Sequence, residues 1–492
     1  MAIKRATPNY VITYPLKVEK WQADIIDQRL ELLRQIYNYA ISHLMGKYLW
    51  LTKTKAFKQC KSIKEKQAFF NQNPCPMTFT QYGIANWVAK LNQRSVDSNR
   101  TFIDLGINGE MAALLGMTIW NAWDKFMFDS KCDQINKKRP GQINALGVRV
   151  KSGYASGFSF DFEKMNISIN VNGKRKSQAK FITMPIVTHK NQTEYELKPL
   201  KEGLKNIRIV KIAKQIVRGK RKYYLQLTVE GKVPSKGHEL GKGRVGIDVG
   251  PQNIAICSNS RVSMERLAKD GEKDQKKIDS TRSAMYRSRK ENNPNNFDKN
   301  GAYKPKEELV PWNNTKRYIK LCQELKELYR KQTARRKLQH ILLANELLKL
   351  GNIFVVEDNP ISEWKEKKGK TKGDTITISQ KCRKGWRRSI THHSPAMFIN
   401  VLKNKVEGRG GRFIKVDCYN AATQYDFTAR KFIKHGIQER YITLSDGRTH
   451  QRDIMAAFNL QHLNTESKEM KEYNTEQMHV DYLKFCELEK QM

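Results

Sequence analysis

Two apolar runs that each end in a carboxylate constrain this chain more than any other feature. Residues 244–250 read Arg-Val-Gly-Ile-Asp-Val-Gly and place Asp248 inside a hydrophobic stretch, while 352–358 read Asn-Ile-Phe-Val-Val-Glu-Asp and bring Glu357 and Asp358 to the end of another. Short β-branched runs of this kind read as buried strands. Between them lie a charged helical stretch, about 267–290, and a long amphipathic one, 314–350, with Leu321, Leu325, Leu328, Leu338, Ile341, Leu342 and Leu347 as expected core positions. A helix over 394–407 and a strand over 412–416 follow. Strands alternating with helices predict an α/β domain with a mixed sheet. Asp453 then opens a third apolar segment, Arg452 to Leu460, read as an amphipathic helix whose first-turn acid suits the helix dipole.

Three acids on two strand ends and a helix start form a plausible divalent-cation site, because hard Mg²⁺ takes carboxylate oxygen and two such ions can serve phosphodiester hydrolysis. Asp248, on the central strand, is expected to bridge two Mg²⁺ ions, with Glu357 and Asp453 each completing one. Asp358 competes with Glu357, since neighbours in a strand point to opposite faces. Gly246 and Gly250 are expected to turn the backbone sharply and leave room for a phosphate. Each feature also has a plain reading: Gly-Ile-Asp-Val-Gly is a strand-turn or a phosphate loop of the actin-like ATPase kind, though the second loop such a fold needs belongs on a strand and Ser445-Asp446-Gly447 sits in a polar loop, and Asp453 alone is a helix-terminus acid.

Charge narrows the partners. The 492 residues hold 91 Lys and Arg against 49 Asp and Glu, a formal net charge of +42, and an excess of that size points to a polyanion. Aromatic residues interleave with the basic ones (Tyr223, Tyr224, Trp312, Tyr318, Tyr329, Trp386), which favours nucleic acid. Expected phosphate contacts are Lys137, Lys138 and Arg139; Arg218, Lys220, Arg221 and Lys222; Arg335 and Arg336; Arg387 and Arg388; and Arg452. Taken singly, each run also reads as a solvated face. Trp364 and Trp386 read equally as base-stacking or packing residues. Affinity is expected to fall with salt at a slope of roughly −0.9 per neutralised phosphate. No apolar run approaches the ~20 residues of a membrane span, and the N-terminus lacks a signal peptide's apolar core, which predicts a cytoplasmic protein without a membrane partner. Eight cysteines, none at C-x-x-C spacing, read as reduced thiols.

The first half has another texture. A strand over 9–16 precedes helical spacing from 21 to about 129; short alternating runs follow at 148–150, 157–162, 167–171, 179–185, 207–213 and 222–230. This predicts a multidomain α+β chain: a small β-barrel or sandwich from 1–20 and 140–235, interrupted by a helical domain over 21–139, then the α/β domain over 243–463 and a polar helix or tail over 464–492.

The ordered set of residues 246–250, 355–358 and 451–460 resembles the split RuvC nuclease of TnpB proteins and the compact type V CRISPR effectors. Tyr37-Asn38 is similar to that family's early tyrosine-asparagine pair, 219–225 to its last barrel strand, and 394–416 to the helix and strand between its second and third acids. The resemblance implies an RNase H-like nuclease domain, a wedge-like barrel with a helical recognition insert, and an RNA-guided DNA endonuclease with Asp248, Glu357 and Asp453 as catalytic, Mg²⁺-binding acids. It implies a guide RNA and single- and double-stranded DNA as partners, a monomer or homodimer on one guide, and a prokaryotic, nucleoid-associated location. Alternatives of other classes are a guide-dependent binder that does not cut and an unguided transposase or resolvase. One departure stands out. The family commonly carries a four-cysteine zinc ribbon before the third acid, but 418–452 holds only Cys418, with His435 and His450, so no structural zinc is expected there and the segment is read as a metal-free lid.

Overall fold

The computed structural model describes residues 8–72, 79–128, 134–173, 178–189, 194–231, 239–359, 361, 380–417, 422–436, 439–464 and 472–491. The chain divides into two compact units, 1–233 and 234–492.

In the first unit, strand β1 (Asn9–Leu16) leads into a 33-residue helix, α1 (Lys20–Thr52), then α2 (Lys55–Gln59), α3 (Ile63–Gln72), α4 (Gln81–Lys90) and α5 (Gly109–Phe128). The β region follows: β2 (Ala145–Lys151), β3 (Tyr154–Ala155), β4 (Phe158–Asp161), β5 (Asn166–Asn170), β6 (Phe181–Pro185), the short α6 (Glu194–Lys201), β7 (Ile207–Val217) and β8 (Lys220–Glu230). β1 pairs antiparallel with β8 across the whole helical insertion, so the strand before the helices belongs to the sheet after them. The sheets run β1-β8-β7-β2-β3 and β4-β5-β6. Of the barrel or sandwich expected, a closed barrel is not what the described residues form: they make two open sheets, joined by the bridge Leu16↔Ile186. Alternation explains the stacking: Ile207, Val210, Ile212, Tyr223, Leu225, Leu227 and Val229 turn inward and share one continuous core with Ile26, Leu30, Leu33, Tyr37, Ile119 and Trp123 of the helices. Helices and sheets thus have no separate interiors.

The second unit is a three-layer α/β/α structure. Its strands are β9 (Arg244–Val249), β10 (Asn253–Ser258), β11 (Arg261–Arg266), β12 (Ile353–Glu357) and β13 (Arg412–Val416), in the order β11-β10-β9-β12-β13. β9, β10 and β11 are antiparallel neighbours; β12 and β13 run parallel to β9. Helices α7 (Gln275–Asn292), α8 (Lys316–Leu347), α9 (Gln380–His393) and α10 (Pro395–Glu407) intervene. Residues of odd number on β9 (Val245, Ile247, Val249), with Ile254, Ile256, Phe354 and Val356, form one core with Ala344, Leu347, Phe398 and Leu402 of α8 and α10. The opposite face, through Ala255, Cys257, Val355 and Val416, meets α11 (Arg452–His462) and α12 (Thr475–Lys490).

One detail departs from the sequence reading. The inward seam of α8 is Leu328, Gln332, Arg336, His340, Ala344 and Leu347, whereas Leu338 and Leu342 are about half exposed, at 55% and 52%. Two of the polar residues in the seam find partners: Gln332 Nε2 donates to Gly271 O (2.9 Å), and Arg336 donates to Thr391 O and to Ser394 Oγ (3.3 Å). The polar C-terminal stretch is a helix whose Met478, Tyr482 and Phe485 complete the α11 core.

The segment before Asp453 folds as two small hairpins, β14 (Tyr425–Asp426) with β15 (Lys431–Phe432) and β16 (Tyr441–Thr443) with β17 (Thr449–Gln451); Cys418 lies outside the described residues. Asp426 joins them. Its buried carboxylate accepts from Thr428 N (2.9 Å), Thr428 Oγ1 (2.6 Å), Ala429 N (3.3 Å), Ser445 N (2.8 Å) and Ser445 Oγ (2.7 Å). Burial raises its pKa, but these bonds outweigh it and hold the group below the ordinary carboxylate value. Tyr425 stacks on Tyr473 at 4.0 Å, and buried His450 meets Glu489 (2.6 Å) and Tyr482 OH (2.7 Å) of α12. Hydrogen bonds and rings order these hairpins. Replacing Asp426 by Ala strands buried donors, so we expect a loss of ~2–4 kcal/mol and faster amide exchange at Thr428 and Ser445. Because the native pKa is depressed, the carboxylate's contribution is present above its unfolded value and lost as pH falls through the native one. Unchanged exchange in the Asp426→Ala protein would refute the clamp.

Candidate active site

The register of the sheet sets two of the three acids side by side. Asp248 sits opposite Ala255, and Glu357 opposite Val416; both partners belong to the face covered by α11. β12 runs in parallel register with β9 up to Val356↔Ile247, so the next step carries Glu357 to the level of Asp248. Asp358 points away: it is exposed and paired with Lys415 Nζ at 2.6 Å.

Asp453 arrives on α11. Gln451 caps that helix by accepting from Ile454 N (2.7 Å), which fixes the first turn. At the far end, Arg244 of β9 donates to Gln461 O (2.8 Å) and Leu463 O (2.7 Å), a cation on the negative end of the helix. The middle of α11 touches β9 where Gly246 has no side chain. A Cβ there would stand 2.0 Å from Ala457 O and 2.4 Å from Gln461 N. This corrects the expected phosphate space at Gly246: helix backbone fills it. Gly250 closes the β9–β10 hairpin, its N donating to Asn253 O at 2.9 Å.

The electrostatics follow from this packing. Asp248 lies deep among protein atoms, with only a partial opening to solvent. Burial, then the nearby Glu357 and Asp453 carboxylates, push its pKa up to about 8, against the opposing pull of Arg452. Buried Glu357 is also raised, chiefly by burial, while hydrogen bonds from Asn359 (3.4 Å) and the Ala422 backbone pull the other way. Asn459 of α11 holds that backbone in place by donating to Ala422 O and Tyr425 O, both at 2.8 Å. Local sequence gives Asn459 no role of its own.

All three acids offer carboxylate oxygen, and like charges crowded around a buried Asp248 are the condition a divalent cation relieves. By donor chemistry Asp248 and Glu357 fit such an ion. Asp453 is otherwise engaged: Arg452 Nε and Nη2 lie 3.2 and 3.1 Å from its Oδ1, and Arg440 Nη1 lies 3.9 Å from its Oδ2. Accordingly, among the described residues no three His, Cys, Asp or Glu side chains stand in an arrangement that could hold a metal ion.

A raised carboxyl pKa carries a sign. The native state keeps a proton on Asp248 that the unfolded chain gives up near 3.8, so stability falls as pH rises from about 4 to about 8. We expect thermal unfolding in EDTA to show this slope, and Asp248→Asn to remove most of it. The same slope in the variant would refute the placement of Asp248.

The basic residues separate into classes. Lys137 and Arg139 are exposed, and Lys138 is partly exposed; Asn38 of α1 grips the Lys138 backbone, accepting from its N (2.7 Å) and donating to its O (2.9 Å). Arg218, Lys220 and Lys222 are exposed around the β7–β8 turn, but Arg221 is tied to Asp24 (2.6 Å) and Asp27 (3.0 Å). Arg335 pairs with Asp274 at 3.0 Å and Arg388 with Asp279 at 2.8 Å; Arg387 is partly exposed. Arg336 is corrected outright. Only 9% exposed and bonded to Thr391 and Ser394, it braces α8 against the α9–α10 junction. Trp386 is 48% exposed, and Trp364 lies outside the described residues. No helix among the described residues is long and apolar enough to cross a membrane.

No protein-family model matches the sequence, and no curated protein does. Among solved structures, the chain is similar to a Cas12f1–sgRNA–target DNA complex, at 14% identity and TM-score 0.48 over 94% of this chain and 99% of that one. A CRISPR-Cas12f ternary complex follows at 15% identity and TM-score 0.30, over 92% and 83%. C2c1 of Alicyclobacillus acidoterrestris with single-guide RNA stands at 10% identity and TM-score 0.28, over 89% and 69%. At these scores and identities the likeness decides nothing about this chain's activity.

Proposed function

We propose that this chain is an RNA-guided DNA endonuclease with a RuvC-type site at Asp248, Glu357 and Asp453. The observation that carries the reading is the meeting of two carboxylates on adjacent parallel strands beneath the helix whose first turn bears the third. A sheet of three antiparallel strands continued by two parallel ones is also the RNase H-like arrangement that the sequence resemblance implies. Guidance rests on the ordered motif set and on the +42 charge: base pairing with a bound RNA reads the DNA, and the protein grips backbone.

Bound Mg²⁺ supplies charge neutralisation at the scissile phosphate and a more acidic water. The chain's own share is positional. Asp248 and Glu357 offer oxygens from a rigid sheet, Asp453 offers a third from a capped helix, and Ala422, held by Asn459, walls the Glu357 side. Arg452 and Arg440, now on Asp453, are cations suited to a phosphate that takes the carboxylate's place.

An ATPase of the actin-like kind is disfavoured, because α11 fills the space at Gly246 and Ser445 is bonded to Asp426. A guided binder that does not cut has one observation in its favour, the Arg452 contact on Asp453. Purification with any co-purifying RNA, sequencing of that RNA, and cleavage of matching DNA with Mg²⁺ separate these. Absence of a discrete RNA sinks guidance; a discrete RNA without cleavage leaves the binder.

A further inference from the structure

The stretch 292–312 reads in sequence as a loop rich in Asn, Pro, Gly and Lys, but the α7–α8 connection that holds it, 293–315, is a hydrogen-bonded aromatic knob. Buried Asn293 donates to Arg289 O and Asn313 O (both 3.0 Å) and accepts from Asn313 N (2.6 Å). Fully buried Asn296 donates to Val310 O (3.0 Å) and accepts from Val310 N (2.7 Å). Inside this frame Phe297 and Tyr303 form a β-bridge, with ring centroids 4.8 Å apart. Trp312 meets Tyr303 edge-on at 5.8 Å, and the Arg289 guanidinium lies over both Trp312 (4.4 Å) and Tyr318 (4.7 Å).

What this frame presents is unusual for a solvent-facing loop. Tyr303 is 50% exposed and Tyr286 beside it 37%, beside a groove of about 500 Å³ lined by Arg287, Lys290, Glu291, Pro294, Phe297 and Asp298. α7 carries six Lys and Arg against two acids, Asp279 and Glu291. Exposed rings beside a groove lined with basic side chains are the makings of a stacking platform for unpaired bases. Duplex DNA, its bases already stacked, offers no face to such rings. We propose that this knob is a binding site for single-stranded DNA, with bases on Tyr303 and Tyr286 and phosphates on Arg287 and Lys290. The choice of DNA rests on the nuclease reading, since the same unit carries the three acids.

Cross-linking tests it in EDTA, where no cleavage can intrude. Oligothymidylate bearing 5-iododeoxyuridine is irradiated with the full-length protein and the adduct mapped by mass spectrometry, with fluorescence anisotropy at elevated salt to suppress plain phosphate contacts. We expect adducts on Tyr303 or Tyr286, an affinity loss of roughly fivefold to a hundredfold in Tyr303→Ala, and recovery in Tyr303→Trp, which keeps a stacking face. Adducts confined elsewhere, unchanged affinity in Tyr303→Ala, or equal loss in Tyr303→Ala and Tyr303→Trp would each overturn the site. Preferred adduct formation by the matching 5-iodouridine RNA overturns the choice of DNA. Because cleavage is scored separately with Mg²⁺, a strand bound here by a protein that never cuts removes the nuclease reading and leaves the site.

Discussion

Asp248→Asn is expected to abolish DNA cleavage, by about a thousandfold or more, and to do so without unfolding the protein. The size follows from what the position supplies: metal-assisted phosphodiester chemistry draws several kcal/mol of transition-state stabilisation from its charged groups, and each 1.4 kcal/mol is about tenfold in rate. The retained fold follows from Asp248 being an electrostatic burden to the apo protein, with burial and two neighbouring carboxylates holding its pKa near 8. An amide of the same shape removes that repulsion. In EDTA at pH 8, thermal unfolding of the variant should therefore lie at or above that of the wild type while cleavage with Mg²⁺ is lost. Glu357→Gln should behave similarly, its pKa being raised by burial as well. Cleavage by Asp248→Asn at the wild-type rate removes the site assignment. Loss of both cleavage and fold would mean that Asp248 is structural.

Much of this site was legible because the signals were local. A β-branched run ending in an acid is readable as a strand, and adjacent-residue alternation is enough to set Glu357 and Asp358 on opposite faces. Helix α11 is readable from the acid in its first turn and the apolar run after Asp453, whereas its cap, Gln451, shows only in the structure. What escaped depends on distant partners. Gly246 reads as a turn glycine from its neighbours alone, yet its cause is the backbone of Ala457, some two hundred residues on. The seam of α8 runs through Gln332, Arg336 and His340, which hydrophobic periodicity discounts; Gly271 and Thr391 supply the bonds that offset the burial of Gln332 and Arg336. Likewise the closed barrel was an inference from strand spacing, while closure depends on which edges pair. Nothing near Asp426 in sequence reveals that Ser445 completes its set of hydrogen bonds. Arg218, Lys220 and Lys222 around Gly219 are exposed, while Arg221 among them is taken up by Asp24 and Asp27 of α1.

Gly246→Val should lose cleavage by the opposite route. The added Cβ would meet Ala457 O at 2.0 Å and Gln461 N at 2.4 Å, both backbone atoms of α11 that no side-chain rotation can move aside. Overpacking of a close helix–sheet contact costs ~1–3 kcal/mol and more where backbone must shift, and β-branching adds two further carbons in the same space. The helix can answer only by lifting from β9, which carries Asp453 away from Asp248 and breaks the Arg244 bonds to Gln461 O and Leu463 O. Reduced thermal stability and lost cleavage are therefore expected together, where Asp248→Asn loses cleavage alone. Gly385→Ala on α9 is the control: nothing lies within 4 Å of its Cβ, so it should keep both. The pH slope gives a second discriminator. Once α11 lifts, the Asp453 charge retreats and Asp248 gains water, so its pKa moves down and the loss of stability between pH 4 and 8 in EDTA becomes shallower. A Gly246→Val protein with wild-type stability and cleavage would mean that α11 does not rest on β9, and the geometry that brings the third acid to the other two would fall with it.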